Sequence, residues 1–149
     1  QRELLTPGKN QKHYLAGALD SRTRQLFLVD GPHKNSQLFC ELLDVLCEAY
    51  PDAKTIHVIL DNYGIHTSRL VDKKLSALGG RIQLHFLPPY CPDHNRIERE
   101  WQELHANVTR NHRCKSLLTL LVSVYLYLGH RNQVPTVKPS LRMRVPVAA

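Results

Sequence analysis

The chain has no cysteine framework: four cysteines are scattered over 149 residues. Cys40 and Cys47 fall on one expected helix, roughly 10 Å apart along its axis, which is farther than a disulfide spans. Cys91 and Cys114 stand alone. A disulfide-stapled scaffold is therefore excluded, and a reducing compartment is expected. There is no secretory apolar segment and no apolar run of membrane-spanning length, so the expectation is a cytoplasmic protein with no membrane partner. No internal repeat or low-complexity tract breaks the pattern. Acidic residues are also scarce: 13 Asp and Glu face 20 Lys and Arg, for a net charge of +7 and a pI near 9.4. An excess of that size attracts polyanions, of which nucleic acid is the commonest. The chain starts at Gln1 rather than Met, so a preceding portion of a longer protein is expected.

What is present reads as one α/β domain. Hydrophobic residues at 42% and charged residues at 22% are globular values, and the length suffices for one core without staples. After a polar lead with a Pro7-Gly8 turn, His13–Leu19 and Gln25–Val29 predict an antiparallel hairpin around residues 20–24, stopped by Asp30-Gly31-Pro32. Asn35 or Ser36 can cap a helix reaching about Tyr50, with Phe39, Leu42, Leu43, Leu46 and Tyr50 as its buried stripe. Thr55–Leu60 is almost wholly apolar, as an inner strand should be. Thr67–Leu78 predicts a second helix with Leu70, Val71, Leu75 and Leu78 inward, closed by Gly79-Gly80. Ile82–Leu87 is the next strand, and the strand–helix–strand order makes it parallel to Thr55–Leu60. Arg96 to about Thr109 predicts a helix with Ile97, Trp101, Leu104 and Val108 toward the core, and Ser116–Leu128 a last, very apolar one. Prolines and basic residues from Gln133 onward mark a loose tail, so the domain occupies 1–132 and the tail 133–149.

Two carboxylates stand out. Asp61 ends the inner strand, and Glu98 follows the proline loop that leaves the next strand, Leu87-Pro88-Pro89-Tyr90-Cys91-Pro92-Asp93-His94-Asn95. Ligands of parallel sheets gather beyond the carboxyl ends of the strands, so both acids should reach one rim. Carboxylate oxygens are hard donors suited to Mg²⁺ or Mn²⁺, and such ions activate water and stabilise the leaving oxygen of a phosphodiester. Arg96, Arg99, Arg110, His112 and Arg113 are the cations placed to meet a DNA backbone. Structural roles compete with this reading. Asn95 and Glu98 have capping-box spacing, and Asp61-Asn62 with Gly64 makes a turn. Cys91-x-x-His94 with His112-x-Cys114 offers four zinc ligands, against which stands the irregular spacing between the pairs. His66 either orients the site, binds phosphate or packs at a helix start. Trp101 reads as core and His105 as a solvated or rim-lining residue.

Asp61-Asn62-Tyr63-Gly64-Ile65-His66, then Leu87 through Glu98 and Trp101, resemble the catalytic core of mariner-like bacterial insertion-sequence transposases, the six-thirty group. Leu104-His105-Ala106-Asn107-Val108-Thr109-Arg110-Asn111-His112 fits the same group, and Gly17-Ala18-Leu19-Asp20 more weakly. The resemblance spans about residues 5–130, with Cys91 where serine is usual and Arg96 where proline is usual. It implies a ribonuclease H-like mixed sheet flanked by helices, acting on transposon-end and target DNA as a homodimer of the parent protein. Asp61 and Glu98 would be the second and third acids of a DDE triad holding Mg²⁺ or Mn²⁺. Water would first attack a phosphodiester at the transposon end, and the freed 3′ hydroxyl would then attack target DNA. The family's first Asp lies on a central strand that precedes this chain, with Asp20 and Asp30 as the nearby substitutes. A gap is therefore expected between the His13 and Thr55 strands. The alternatives are a catalytically inactive nucleic-acid-binding remnant, or a subunit that completes its sheet with a strand from another chain.

Overall fold

The computed structural model describes residues 12–88 and 95–132. The polar lead, the tip of the proline loop with Cys91 and His94, and the basic tail lie outside the described residues. In chain order the elements are β1 (Tyr14–Leu19), β2 (Leu26–Gly31), α1 (Ser36–Ala49), β3 (Ile56–Leu60), a 3₁₀ turn (Gly64–Thr67), α2 (Arg69–Ala77), β4 (Ile82–Phe86), α3 (Ile97–Leu104), a π-helical continuation (His105–Thr109) and α4 (Leu117–Arg131).

β1 and β2 pair antiparallel, with Leu19 opposite Leu26 and Tyr14 opposite Gly31. The second strand runs on through Asp30 and Gly31, which were expected to stop it. β3 and β4 pair parallel, with Ile56 opposite Ile82 and Leu60 opposite Phe86. The two pairs form separate sheets: among the described residues nothing is hydrogen-bonded to the remaining edge of β1 or of β3. The expected gap is therefore present, and helix packing rather than a ladder joins the halves.

α1 makes that joint. Its Leu42 and Leu46 pack with Phe27 of β2, Ala16 and Ala18 of β1 and Val58 of β3. Phe39, Cys40 and Leu43 pack with Leu60, Val71 and Ile82, again with Val58 against them. Asn35 caps α1 by accepting from the Leu38 N–H at 3.0 Å, and Arg81 Nη2 donates to the carbonyls of Cys47, Tyr50 and Pro51 at its other end, supplying donors to acceptors that a helix terminus leaves open. On the opposite face of the hairpin, Leu26 and Leu28 meet Leu104, Val124 and Leu128 of the last two helices, with Ile97, Trp101 and Val108 against them. Cys40, Cys47 and Cys114 are unpaired thiols.

Two local expectations are corrected. α2 begins later than Thr67, because residues 64–67 take the tighter 3₁₀ turn and Ser68 then caps the helix by accepting from the Val71 N–H. That start sets the phase, so Val71 is fully buried while Leu70, expected inward, is exposed. The helix after the proline loop does reach Thr109, but from His105 it widens into π geometry, with the Arg110 N–H donating to the His105 carbonyl at 2.7 Å.

Candidate functional site

Asp61 stands one residue past β3. The Leu87 N–H donates to the Leu60 carbonyl at 2.8 Å, and Asn62 Nδ2 donates to the Leu87 carbonyl at 2.7 Å. These bonds extend the β3–β4 ladder and clip the base of the proline loop beside Asp61. The Asp61 side chain is 60% exposed and His66 Nε2 lies 3.3 Å from its Oδ1. His66 is held on the 3₁₀ turn, which the Ser36 hydroxyl anchors by donating to the Ile65 carbonyl at 2.8 Å, and its ring meets Phe39 edge-on, 4.3 Å between centroids. Burial lowers the His66 pKa below its ordinary value, against the opposing pull of Asp61, and Lys34 pushes the same way as burial. Nδ1 is buried without a hydrogen-bond partner. A neutral imidazole whose proton sits on Nε2 and is donated to Asp61 accounts for all three observations. His66 thus both packs and orients.

Glu98 lies exposed in the first turn of α3, with Arg96 and Arg99 exposed beside it. The capping box expected from its spacing does not form. The N-cap is Arg96, which makes no side-chain cap bond, and the Glu98 N–H donates to the Asn95 backbone carbonyl at 3.0 Å. Arg110 is exposed at the other end of the same helical run, roughly 15–20 Å from Glu98 along its axis, and Arg113 is exposed beyond the turn that follows it. His112 is half-buried and its Nδ1 has no partner. The five cations therefore form two groups rather than one cluster. Among the described residues no three or more His, Cys, Asp or Glu side chains gather as metal ligands. The four-ligand zinc arrangement rests on Cys91 and His94, which lie outside the described residues.

Asp20 and Asp30 have other work. Asp20 accepts from the backbone N–H groups of Arg22 at 2.7 Å and Thr23 at 3.0 Å, and from the Tyr50 hydroxyl. Burial raises its pKa, but those hydrogen bonds outweigh it and the net shift is downward. Asp30 takes His13 Nε2 at 2.6 Å on one oxygen and the Tyr125 hydroxyl on the other. His105 is exposed, with Nδ1 2.9 Å from Thr109 Oγ1.

Three groups near the site were not singled out in the sequence. Glu100 is buried and paired with Arg131 and Arg24. Lys34 lies over the Tyr63 ring, 4.1 Å from its centroid. Gly17 admits Trp101: a Cβ there would sit 2.8 Å from Cη2 of the indole. Each depends on a contact between distant parts of the chain, and only the Gly17 motif left a trace in the sequence.

This α/β arrangement is ribonuclease H-like. It is similar to the catalytic core domain of BIV integrase, with a TM-score of 0.59 at 15% identity over 83% of this chain and 78% of that one. A chain of the simian T-cell lymphotropic virus intasome, solved in complex with PP2A regulatory subunit B56 gamma, matches at 0.58 and 14% identity over 100% of this chain and 62% of that one. At such identities the likeness is one of fold. A family model described as DDE superfamily endonuclease matches residues 1–121, and the chain belongs to that family. It is 43% identical over 139 residues to the insertion element IS630 uncharacterized 39 kDa protein of Shigella sonnei, covering 93% of this chain and 38% of that relative's length. No helix among the described residues is long and apolar enough to cross a membrane.

Proposed function

We propose that the chain is part of a transposase domain that cuts and joins DNA, with Asp61 and Glu98 as two of its carboxylate ligands for Mg²⁺ or Mn²⁺. The observation that carries this reading is Asp61 itself: a solvent-facing carboxylate at the end of a parallel strand, with the half-buried His66 ring 3.3 Å from one of its oxygens. A metal-ligating carboxylate must be held in orientation, and a ring beside it does that. Glu98 adds a second hard donor, exposed and released from capping. When bound, divalent ions would activate the attacking oxygen and stabilise the leaving oxygen of a phosphodiester. The residues present do the rest: His66 Nε2 keeps one Asp61 oxygen in place, and Arg96 and Arg99 draw the DNA backbone toward Glu98. The homodimer of the parent protein and the DNA contacts at Arg110, His112 and Arg113 belong to the same proposal.

A second reading, a DNA-binding remnant without cutting activity, is favoured by Asp20 and Asp30, whose oxygens are all engaged by neighbours. Paramagnetic titration with Mn²⁺ tests the site: the chain should bind one ion weakly, and Asp61→Ala or Glu98→Ala should remove it. Wild-type binding that survives both substitutions would end the assignment. Nicking of supercoiled DNA by this chain with Mg²⁺, lost on Asp61→Ala, would exclude the remnant reading. We expect no strand transfer by the chain alone.

A further inference from the structure

A cavity of about 630 Å³ opens where the β2–α1 loop faces the loop after β3, lined by Lys12, Tyr14, Pro32, His33, Lys34 and Tyr63. It is an open surface hollow rather than an enclosed pocket. Its lining is unusual for a surface hollow: two lysines, an imidazole and two phenol rings, with no acidic side chain among the described residues. Cations favour phosphate, and an accessible ring face favours a nucleobase. Tyr63 is 48% exposed, and Lys34 Nζ lies 4.1 Å from its ring centroid, which places a cation beside that ring.

The cavity adjoins the carboxylate. Tyr63 is two residues past Asp61, its ring centroid is 6.5 Å from that of His66, and His66 reaches Asp61 at 3.3 Å. Both walls are fixed by hydrogen bonds. The His66 N–H donates to the Tyr63 carbonyl at 3.0 Å, and the Asn35 cap holds the chain just after Lys34. In a duplex each base has both faces covered by its neighbours, so only an unpaired base can stack on a tyrosine.

We propose that this cavity holds an unpaired nucleotide of the DNA strand handled at Asp61, its base stacked on Tyr63 and its phosphate held by Lys12, His33 and Lys34. The proposal rests on the DNA reading above and adds to it a strand-end pocket separate from the arginines of α3. Fluorescence anisotropy of a labelled oligothymidylate and of a duplex of equal length, each over a salt series, tests it. Tyr63→Ala should weaken single-strand binding by about 5- to 100-fold, while Tyr63→Phe, which keeps the ring, should bind as wild type. Lys34→Ala should shallow the single-strand salt slope by about 0.7. Duplex binding should be unchanged in all three variants and lost in Arg96→Ala with Arg99→Ala. Urea midpoints matching wild type exclude misfolding, and Lys34→Glu offers a second surface change should Tyr63→Ala fail that check. If Tyr63→Ala and Lys34→Glu bind the single strand as wild type does while the arginine variant loses the duplex, the pocket is refuted and the DNA reading stands. If the wild-type chain binds neither nucleic acid, both fall.

Discussion

His66 is the residue on which the candidate site turns, because one ring serves the core and the carboxylate together. Its folded pKa lies below the ordinary 6.5, chiefly through burial. The unfolded chain therefore binds the proton more readily. The stability this ring confers is complete above the ordinary histidine value and is lost as pH falls through the folded value. Protonation would also place a charge beside Phe39 and alter the bond to Asp61. The urea midpoint should fall as pH drops from about 7 to about 5, and His66→Phe, which preserves the packing, should flatten part of that fall while weakening Mn²⁺ binding. An unchanged pH profile in the variant would show that the proton on His66 is not linked to folding. Asp61 was legible because an acid after an apolar strand is a strong signal. The ring that holds it was only half legible, since position 66 fits a packing and an orienting role equally well until Phe39 and Asp61 are seen on opposite sides of it.

Helix α3 delivers Glu98 by burying a different acid. Glu100 is 4% exposed and takes both Arg131 nitrogens, Nε and Nη2, at 2.5 Å, with Arg24 Nη2 at 3.1 Å. Two residues along a helix are about 200° of rotation, so fixing Glu100 inward turns Glu98 outward. Trp101 seats the next position against β1, where Gly17 leaves room for the indole. Arg131→Met should cost about 3 kcal/mol, because a buried carboxylate loses its main partner. Arg24, half exposed, replaces little of it. The matched pair Glu100→Leu with Arg131→Met should recover most of the loss in urea unfolding, and a single variant as stable as wild type would remove Glu100 from this role. Gly17→Ala should cost about 1–3 kcal/mol by crowding the indole. The apolar stripe of α3 was legible from its period. Glu100 was not: an acid on a helix reads as solvated, and its partners lie 31 and 76 residues away in sequence. The phase of α2 was misjudged for a similar reason, since the 3₁₀ turn that sets it is anchored by Ser36 on another helix.

At the scale of the whole molecule the two half-sheets matter most. The strand–helix–strand order gave the strand directions, and the break between β1 and β3 was implied by the family resemblance, whose first strand precedes this chain. What the periodicity did not show is how the halves stay together: Val58 contributes to both clusters beneath α1. An unpaired strand edge is a template for another strand. Here it is accompanied by apolar surface, with Ile59 of β3 65% exposed and Leu118, Val122 and Leu126 exposed at intervals of four along one face of α4. Association would pair the ladder groups of the edge, and separately it would cover the apolar face of α4. The chain should therefore run as a dimer or larger species in size-exclusion chromatography with light scattering, with a mass that rises with concentration. Ile59→Lys should act at the strand edge and Leu126→Lys on the helix face. If the edge drives association, the first variant should shift the mass toward monomer more than the second; if the helix face drives it, the order reverses. A wild-type chain that stays monomeric at high concentration would mean that α1 alone closes the gap well enough, and that the bare edges of β1 and β3 are shielded from any partner strand.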